Sequence, residues 1–285
     1  MGAPEPDRAV TVITNDGAFR VIAARTTLTA RGVVAAQTPA PATLPLLSDL
    51  CTATILVRLT MAPSYRVQGI LRGARTHGTL VADAHPDGGT RGLLRAKGGL
   101  VELGDDSLMQ LMRSLHNGQT HQGVVSVDPE HGVSGALMTY LLESEQVASA
   151  ASVGTLAEGG ELLAAGGWLV QMLPECTEPP LALMYERLRT DFADTPAVLA
   201  KLGADPMRLV EEICWGMEFT QTQDHTLEYR CRCSAERVLA SLATVGHDEL
   251  SDMVDKGEPL FITCDYCQCP YEISAESLRG LLEAS

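Results

Sequence analysis

Apolar and polar positions along this chain follow two different periods. Residues 10–13 and 19–24 are apolar, β-branched runs on either side of Asn15-Asp16-Gly17, the composition of a tight hairpin. Residues 43–58 place Leu46, Leu47, Leu50, Cys51 and Thr54 on one helical face, which predicts a buried helix. Strand-like runs recur at 65–71, 78–84, 92–97 and 123–127. A second helix is predicted over 133–142, with Leu137, Tyr140 and Leu141 in one stripe. Strands near 147–153 and 167–173 would close the sheet. Residues 1–174 therefore read as an α+β domain with helices packed on one large sheet.

The period changes after Gln171-Met-Leu-Pro174. Leu181, Met184, Tyr185 and Leu188 fall at i, i+3, i+4 and i+7, and Asp205-Pro206 opens a second helix with Leu209, Val210 and Ile213 inward. Residues 175–230 thus read as a helical segment with an acidic polar face: a subdomain docked on the sheet or, more sharply, a weakly held linker. Residues 231–285 form a third, smaller module.

Charge sharpens this division. The formal net charge is −15, and residues 175–285 carry −12 of it. Such an acidic surface opposes binding to nucleic acid or anionic lipid, so neither is an expected partner. With 45% apolar and 20% charged residues the chain has the composition of a folded soluble protein. The start, MGAPEPDRAVTV, has no basic region followed by an apolar core, and Pro6 stands where a myristoylation signal wants Ser or Thr. The most apolar run, 44–61, contains Asp49 and Arg58 and is too short to span a bilayer. The expected address is cytoplasmic, where cysteines serve metal or redox roles rather than structural disulfides.

Cysteine spacing carries the chemistry. Cys51, Cys176 and Cys214 are scattered and read as small apolar fillers. The other five lie in Cys231-Arg-Cys233 and, thirty residues on, Cys264-Asp-Tyr-Cys267 with Cys269 two further. Two close thiol pairs joined by a loop suit a tetrahedral Zn²⁺, and all-sulfur ligation selects Zn²⁺ or iron over hard cations. Around them Ser234 can cap a helix running to Leu242, Gly246 stops it, and 247–254 makes a second short helix. Residues 260–263 and 271–273 are strands, and 274–282 is a closing helix. A unit of this size has little core, and zinc ligation, worth about 10–16 kcal/mol in small modules, would hold it folded.

A purely structural zinc knob is the alternative. Against it, Cys-x-Cys is an unusual knuckle, residues i and i+2 can approach disulfide range where the chain bends, and a strained local disulfide is easily made and reduced. The module also ends an acidic region whose opening would uncover what it masks.

The cluster, with Ser234 and Glu236-Arg237 after Cys233 and Tyr271 after Cys267, resembles the redox-regulated 33-kilodalton heat-shock chaperone family. Ser144-Glu145-Gln146 and Gly166-Gly167-x-Leu169-x-Gln171-x-Leu173-Pro174 resemble the same family, and Val67-Gln68-Gly69 and Arg91-Gly92 match it in the same order. The resemblance implies a cytosolic, ATP-independent holdase, not an enzyme, that binds unfolding client proteins. It implies Zn²⁺ on Cys231, Cys233, Cys264 and Cys267 in an inactive reduced form. Oxidation would pair Cys231 with Cys233 and Cys264 with Cys267, release the metal, unfold the module and then the linker, and give a dimeric active form. Two features depart from the pattern. Cys269 stands where the family has no cysteine, as an inert neighbour, an alternative ligand or an alternative disulfide partner. The stretch 69–78 is more basic than the family pattern.

Other chemistry is weakly signalled. His77, His85, His116, His121, His131, His225 and His247 never flank a Glu at i, i+4, and each reads as a surface or loop histidine. Ser144 lacks a nucleophile elbow, the paired glycines at 159–160 and 166–167 lack a following Gly-Lys-Ser/Thr, and Trp168 and Trp215 read as packing residues. Two further function classes stand beside the holdase. A thiol-disulfide oxidoreductase using Cys264 and Cys267 would place that pair at a helix start, to lower a thiol pKa. A zinc-ribbon binding module is opposed by its own net −6 over 231–285.

Overall fold

The turn at Asn15-Asp16-Gly17 closes a hairpin in the computed structural model, which describes residues 5–114, 118–242, 251–252, 254–255 and 257–283. Strand β1 (Arg8–Thr14) pairs antiparallel with β2 (Phe19–Arg25). Gly17 takes φ +73°, where a side chain would be strained, and Asp16 Oδ1 accepts the Ala18 N–H at 3.0 Å.

This hairpin is the middle of a five-stranded sheet. β2 pairs with β9 (Glu161–Met172), which pairs with β8 (Ser149–Glu158), and β1 pairs on its other side with β10 (Phe219–Thr226). A second sheet runs in the order β11-β5-β4-β3-β6-β7, with β3 Arg66–Arg72, β4 Thr79–Ala84, β5 Gly89–Arg95, β6 Leu108–Ser114, β7 Thr120–Ser126 and β11 Glu228–Tyr229. The sequence pattern predicts one large sheet, and two form instead. Alternation reveals a strand but not its partner: Phe19 pairs with Met172, far along the chain. Strand β6, with its run LMQLMRS, carries too weak an alternation to be foreseen.

Helix α2 (Leu44–Thr60) explains why both sheets are needed. It packs on β3 and β4 of one sheet and on β8 and β9 of the other, so it is buried on nearly all sides rather than on the one predicted face. Its buried hydroxyls bond within the helix: Ser48 to the Leu44 carbonyl, Thr52 to Ser48 and Thr54 to Leu50. α1 (Thr27–Gln37), also unforeseen, presses Gly32 against the Tyr229 ring; a Cβ there would lie 2.4 Å from Tyr229 Cγ. α3 (Gly132–Glu143) buries Leu137, Tyr140 and Leu141, the predicted stripe.

The chain from 175 to 230 is helical only in part. α4 (Glu178–Asp191), α5 (Thr195–Leu202) and α6 (Pro206–Ile213) are followed by β10 and β11. Asp194 and Asp205 cap α5 and α6 by accepting the Ala197 and Met207 N–H groups, each beside a proline that tolerates the first turn. In α6 the predicted Leu209, Val210 and Ile213 are all buried; in α4 only Met184 is, and Leu181 and Tyr185 are exposed. The three helices cover one face of the five-stranded sheet. Val10, Val12, Phe19, Val21, Ala23, Trp168 and Val170 lie beneath Met184, Phe192, Leu199, Leu202, Leu209, Val210 and Ile213. Trp168 meets Phe192 edge to face at 5.9 Å. Trp215, predicted to pack, is 69% exposed because α6 ends one residue before Cys214, which takes the inward place. Cys51 and Cys214 are buried fillers, while Cys176 is only partly buried. His85 lies, as read, in a loop, between β4 and β5, with its side chain 11% exposed beside the fully buried Asp83 carboxylate.

The described structure divides into two compact units, Met1–Arg230 and Cys231–Ser285. The second contains α7 (Ala235–Leu242), the hairpin of β12 (Leu260–Thr263) and β13 (Pro270–Ile273), and α8 (Ala275–Glu283). Its core is small: Leu242, Val254, Ile273 and Leu278 are buried, with Val238, Leu260 and Tyr271 packed beside them. Gly246 and most of the helix expected at 247–254 lie outside the described residues, as does His116.

Candidate metal centre

The two cysteine pairs occupy turns built by local backbone bonding. Cys231-Arg-Cys233 immediately precedes α7. Ser234 Oγ accepts the Arg237 N–H at 3.3 Å, and the Arg237 guanidinium donates back to the Arg232 carbonyl at 2.8 Å. The first knuckle is thus pinned from both sides. It also sits at the N-terminus of α7, the end of a helix that carries partial positive charge.

The second pair sits at the tip of the β12–β13 hairpin. The Cys264 N–H donates to the Cys269 carbonyl at 2.9 Å, and the Gln268 N–H to the Cys264 carbonyl at 2.8 Å. Gln268 turns the chain at φ +59°. This wraps Cys264-Asp-Tyr-Cys267 into a tight loop with both thiols on its inner side.

Folding brings the pairs together. The sulfurs of Cys231, Cys233, Cys264 and Cys267 all lie within 4.8 Å of one another, and all four residues are partly buried. Cys231 Sγ is 3.8 Å from Cys264 Sγ, and Cys233 Sγ is 3.3 Å from Cys267 Sγ. A tetrahedron with metal–sulfur bonds of about 2.3 Å has edges of roughly 3.8 Å, so the spacing suits one ion. Electrostatics ask for one. Burial pushes the Cys267 thiol up, and the Cys233, Cys231 and Cys264 sulfurs push it further, against a backbone N–H from Cys269 that lowers it. Four thiolates this close need a cation among them. The cluster can hold a metal ion.

Known proteins are similar to this chain over nearly its whole length. Residues 7–274 match the family described as Hsp33 protein. A 33 kDa chaperonin of Syntrophotalea carbinolica is 30% identical over 97% of this chain and 99% of its own length. This chain belongs to the Hsp33 family. A second 33 kDa chaperonin, from Geobacter sulfurreducens, is 27% identical over 98% of the chain and 95% of its own. The crystal structure of the Hsp33 homologue from Thermotoga maritima shares the fold, with a TM-score of 0.82 over 98% of this chain and 99% of that one at 20% identity. The resemblance read from the cysteine knuckles and the 144–174 motifs is therefore correct, as is the α+β class.

Within this Hsp33 chain, Tyr271 is the contact that spacing alone missed. Its hydroxyl donates to Cys233 Sγ at 2.9 Å, tying the second hairpin to the first knuckle. The sulfurs raise its own ionisation, Cys233 first, with burial and Cys269 adding to it. Only the register exposes this role: Tyr271 stands opposite Ile262 and two residues beyond Cys269 on the same strand face. Cys269 is exposed and outside the four-sulfur group. Elsewhere Glu145 of the Ser144-Glu145-Gln146 motif accepts from Arg113 and from the Tyr140 hydroxyl, a structural clamp. Among the described residues no helix is long and apolar enough to cross a membrane.

Proposed function

We propose that this protein is a redox-regulated, ATP-independent holdase of the cytoplasm that binds unfolding client proteins under oxidative stress. Cys231, Cys233, Cys264 and Cys267 would hold Zn²⁺ in the reduced, inactive form; the ion, when bound, supplies the positive charge that keeps four thiolates in one cluster. The observation that carries the reading is that cluster, set in a unit whose buried core is only Leu242, Val254, Ile273 and Leu278 among the described residues. Sulfurs that become disulfides no longer clamp the two knuckles together, and so small a core does not hold alone. One disulfide closes in each knuckle: Cys231 with Cys233, and Cys264 in the second, whose partner on the family pattern is Cys267.

Client binding needs apolar surface, and the first unit stores it. Residues 178–213 lie over a sheet face of Val10, Val12, Phe19, Val21, Trp168 and Val170. Release of this segment would bare that face and the inner sides of its own helices. If β10 leaves with it, the backbone edge of β1 is bared too, and unfolded chains pair readily with such an edge. We place the segment 175–230 as the mobile linker between a core domain, 1–174, and the redox module, 231–285, and the active form as a dimer.

Metal content and thiol number, measured before and after peroxide, test the reading together with light scattering from a heated client. Bound zinc in the reduced protein, its loss with the thiols, and suppression of scattering by the oxidised form alone are expected. Equal suppression by both forms overturns the proposal.

A further inference from the structure

The register of the β12–β13 hairpin does something that the cysteine spacing does not show. The paired residues run Leu260 with Ile273, Phe261 with Glu272, Ile262 with Tyr271 and Thr263 with Pro270. One step further along the same ladder, Cys264 stands opposite Cys269, and the bond from the Cys264 N–H to the Cys269 carbonyl at 2.9 Å extends the pairing to them. Directly opposite residues on antiparallel strands lie about 4.5–5.5 Å apart at Cα and point to the same face. Disulfides span roughly 4.4–6.8 Å at Cα. Cys267 lies on the loop between them, its sulfur within 4.8 Å of Cys264 Sγ, so it competes with Cys269 for the same partner.

Position and exposure add to the register. Cys269 is the one exposed thiol of the five, the other four being partly buried. Its sulfur lies 3.8 Å from the Pro270 carbonyl oxygen and is not one of the four clustered sulfurs.

We propose that Cys269 is the peroxide-facing thiol of the second knuckle and that the disulfide formed there is Cys264 with Cys269, leaving Cys267 as a free thiol. This rests on the redox reading above and alters its second pairing. In the first step the Cys269 sulfur attacks peroxide. The O–O bond breaks, one oxygen stays on sulfur as a sulfenic acid, and water leaves. In the second, the Cys264 sulfur attacks Cys269 Sγ; the S–S bond forms, the S–O bond breaks, and a second water leaves. Two thiols supply two electrons and one peroxide accepts them. Cys264 thereby leaves the four-sulfur group, so an exposed residue that is not in that group opens it.

Differential alkylation of the full-length reduced protein tests this. After limiting peroxide, remaining thiols are capped with N-ethylmaleimide; the disulfides are then reduced and capped with iodoacetamide, and tandem mass spectrometry locates each label. The expected pattern is maleimide on Cys267 and carbamidomethyl on Cys264 and Cys269. Maleimide on Cys269, with Cys264 and Cys267 oxidised, overturns the proposal and leaves the redox reading standing. Maleimide on all five after peroxide overturns both. The variant Cys269→Ser gives a second measurement: oxidation of Cys264 should slow several-fold at the same peroxide concentration, and an unchanged rate counts against the proposal.

Discussion

The Tyr271 hydroxyl lies 2.9 Å from the Cys233 sulfur and donates to it, so a residue of the second strand of the hairpin fastens a thiol of the opposite knuckle. Groups that bond to ligating atoms set their orientation and charge, and losing one typically lowers metal affinity about 10–100-fold. Tyr271→Phe keeps the ring and removes the donor. Zinc affinity, measured by competition with a chromophoric chelator, should fall at least about tenfold. Unchanged affinity would make the contact one of packing alone.

Removing the metal should act on one unit and spare the other. The second unit buries four apolar residues among those described, against two large clusters in the first. Chelation at neutral pH should therefore abolish hydrogen-exchange protection in 257–283 while β1, β2 and β9 stay protected. Protection that persists in β12 and β13 after complete chelation would show a core sufficient without zinc.

Leu209, on α6, is fully buried, whereas Leu183 on α4 is 51% exposed. Leu→Ala in a packed core costs about 2–5 kcal/mol, and at an exposed site much less. Leu209→Ala should loosen the helices from the sheet face and let reduced protein suppress client aggregation, while Leu183→Ala should not. A reduced Leu209→Ala protein as inactive as wild type would mean that the covered sheet face is not the client surface.

Asp49, on α2, is held by burial at a pKa of about 7, and the Thr155 hydroxyl at 2.7 Å opposes that rise only in part. A carboxyl whose folded pKa is raised stabilises the fold below its unfolded pKa, near 4. That stability is lost as pH rises through the folded pKa. The first unit should thus lose stability between about pH 4 and 7, by up to roughly 1.4 kcal/mol for each step of one in pH. Asp49→Asn should flatten the dependence of the urea midpoint between about pH 4 and 7. A slope identical to wild type would place its origin elsewhere.

Much of the first unit was readable from local pattern. The Asn15-Asp16-Gly17 hairpin, α2, the stripe of α3 and the inward side of α6 all appear where periodicity puts them. Strand β10 was not readable. Its sequence, FTQTQDHT, is mostly polar and exposed, and it is a strand because β1 offers it an edge. Trp215 illustrates the same limit: an aromatic residue looks like core until the helix before it ends and turns it outward.

The thiol pairs, their spacing and the acidic tail are properties of neighbouring residues, and so the linear chain already specified a cysteine module able to hold a metal, and its family. What closes on what belongs to the folded molecule alone. The division into two sheets, the burial of α2 between them, and the placing of Cys269 opposite Cys264 follow from strand pairings, and a pairing depends on which distant surfaces find complementary partners.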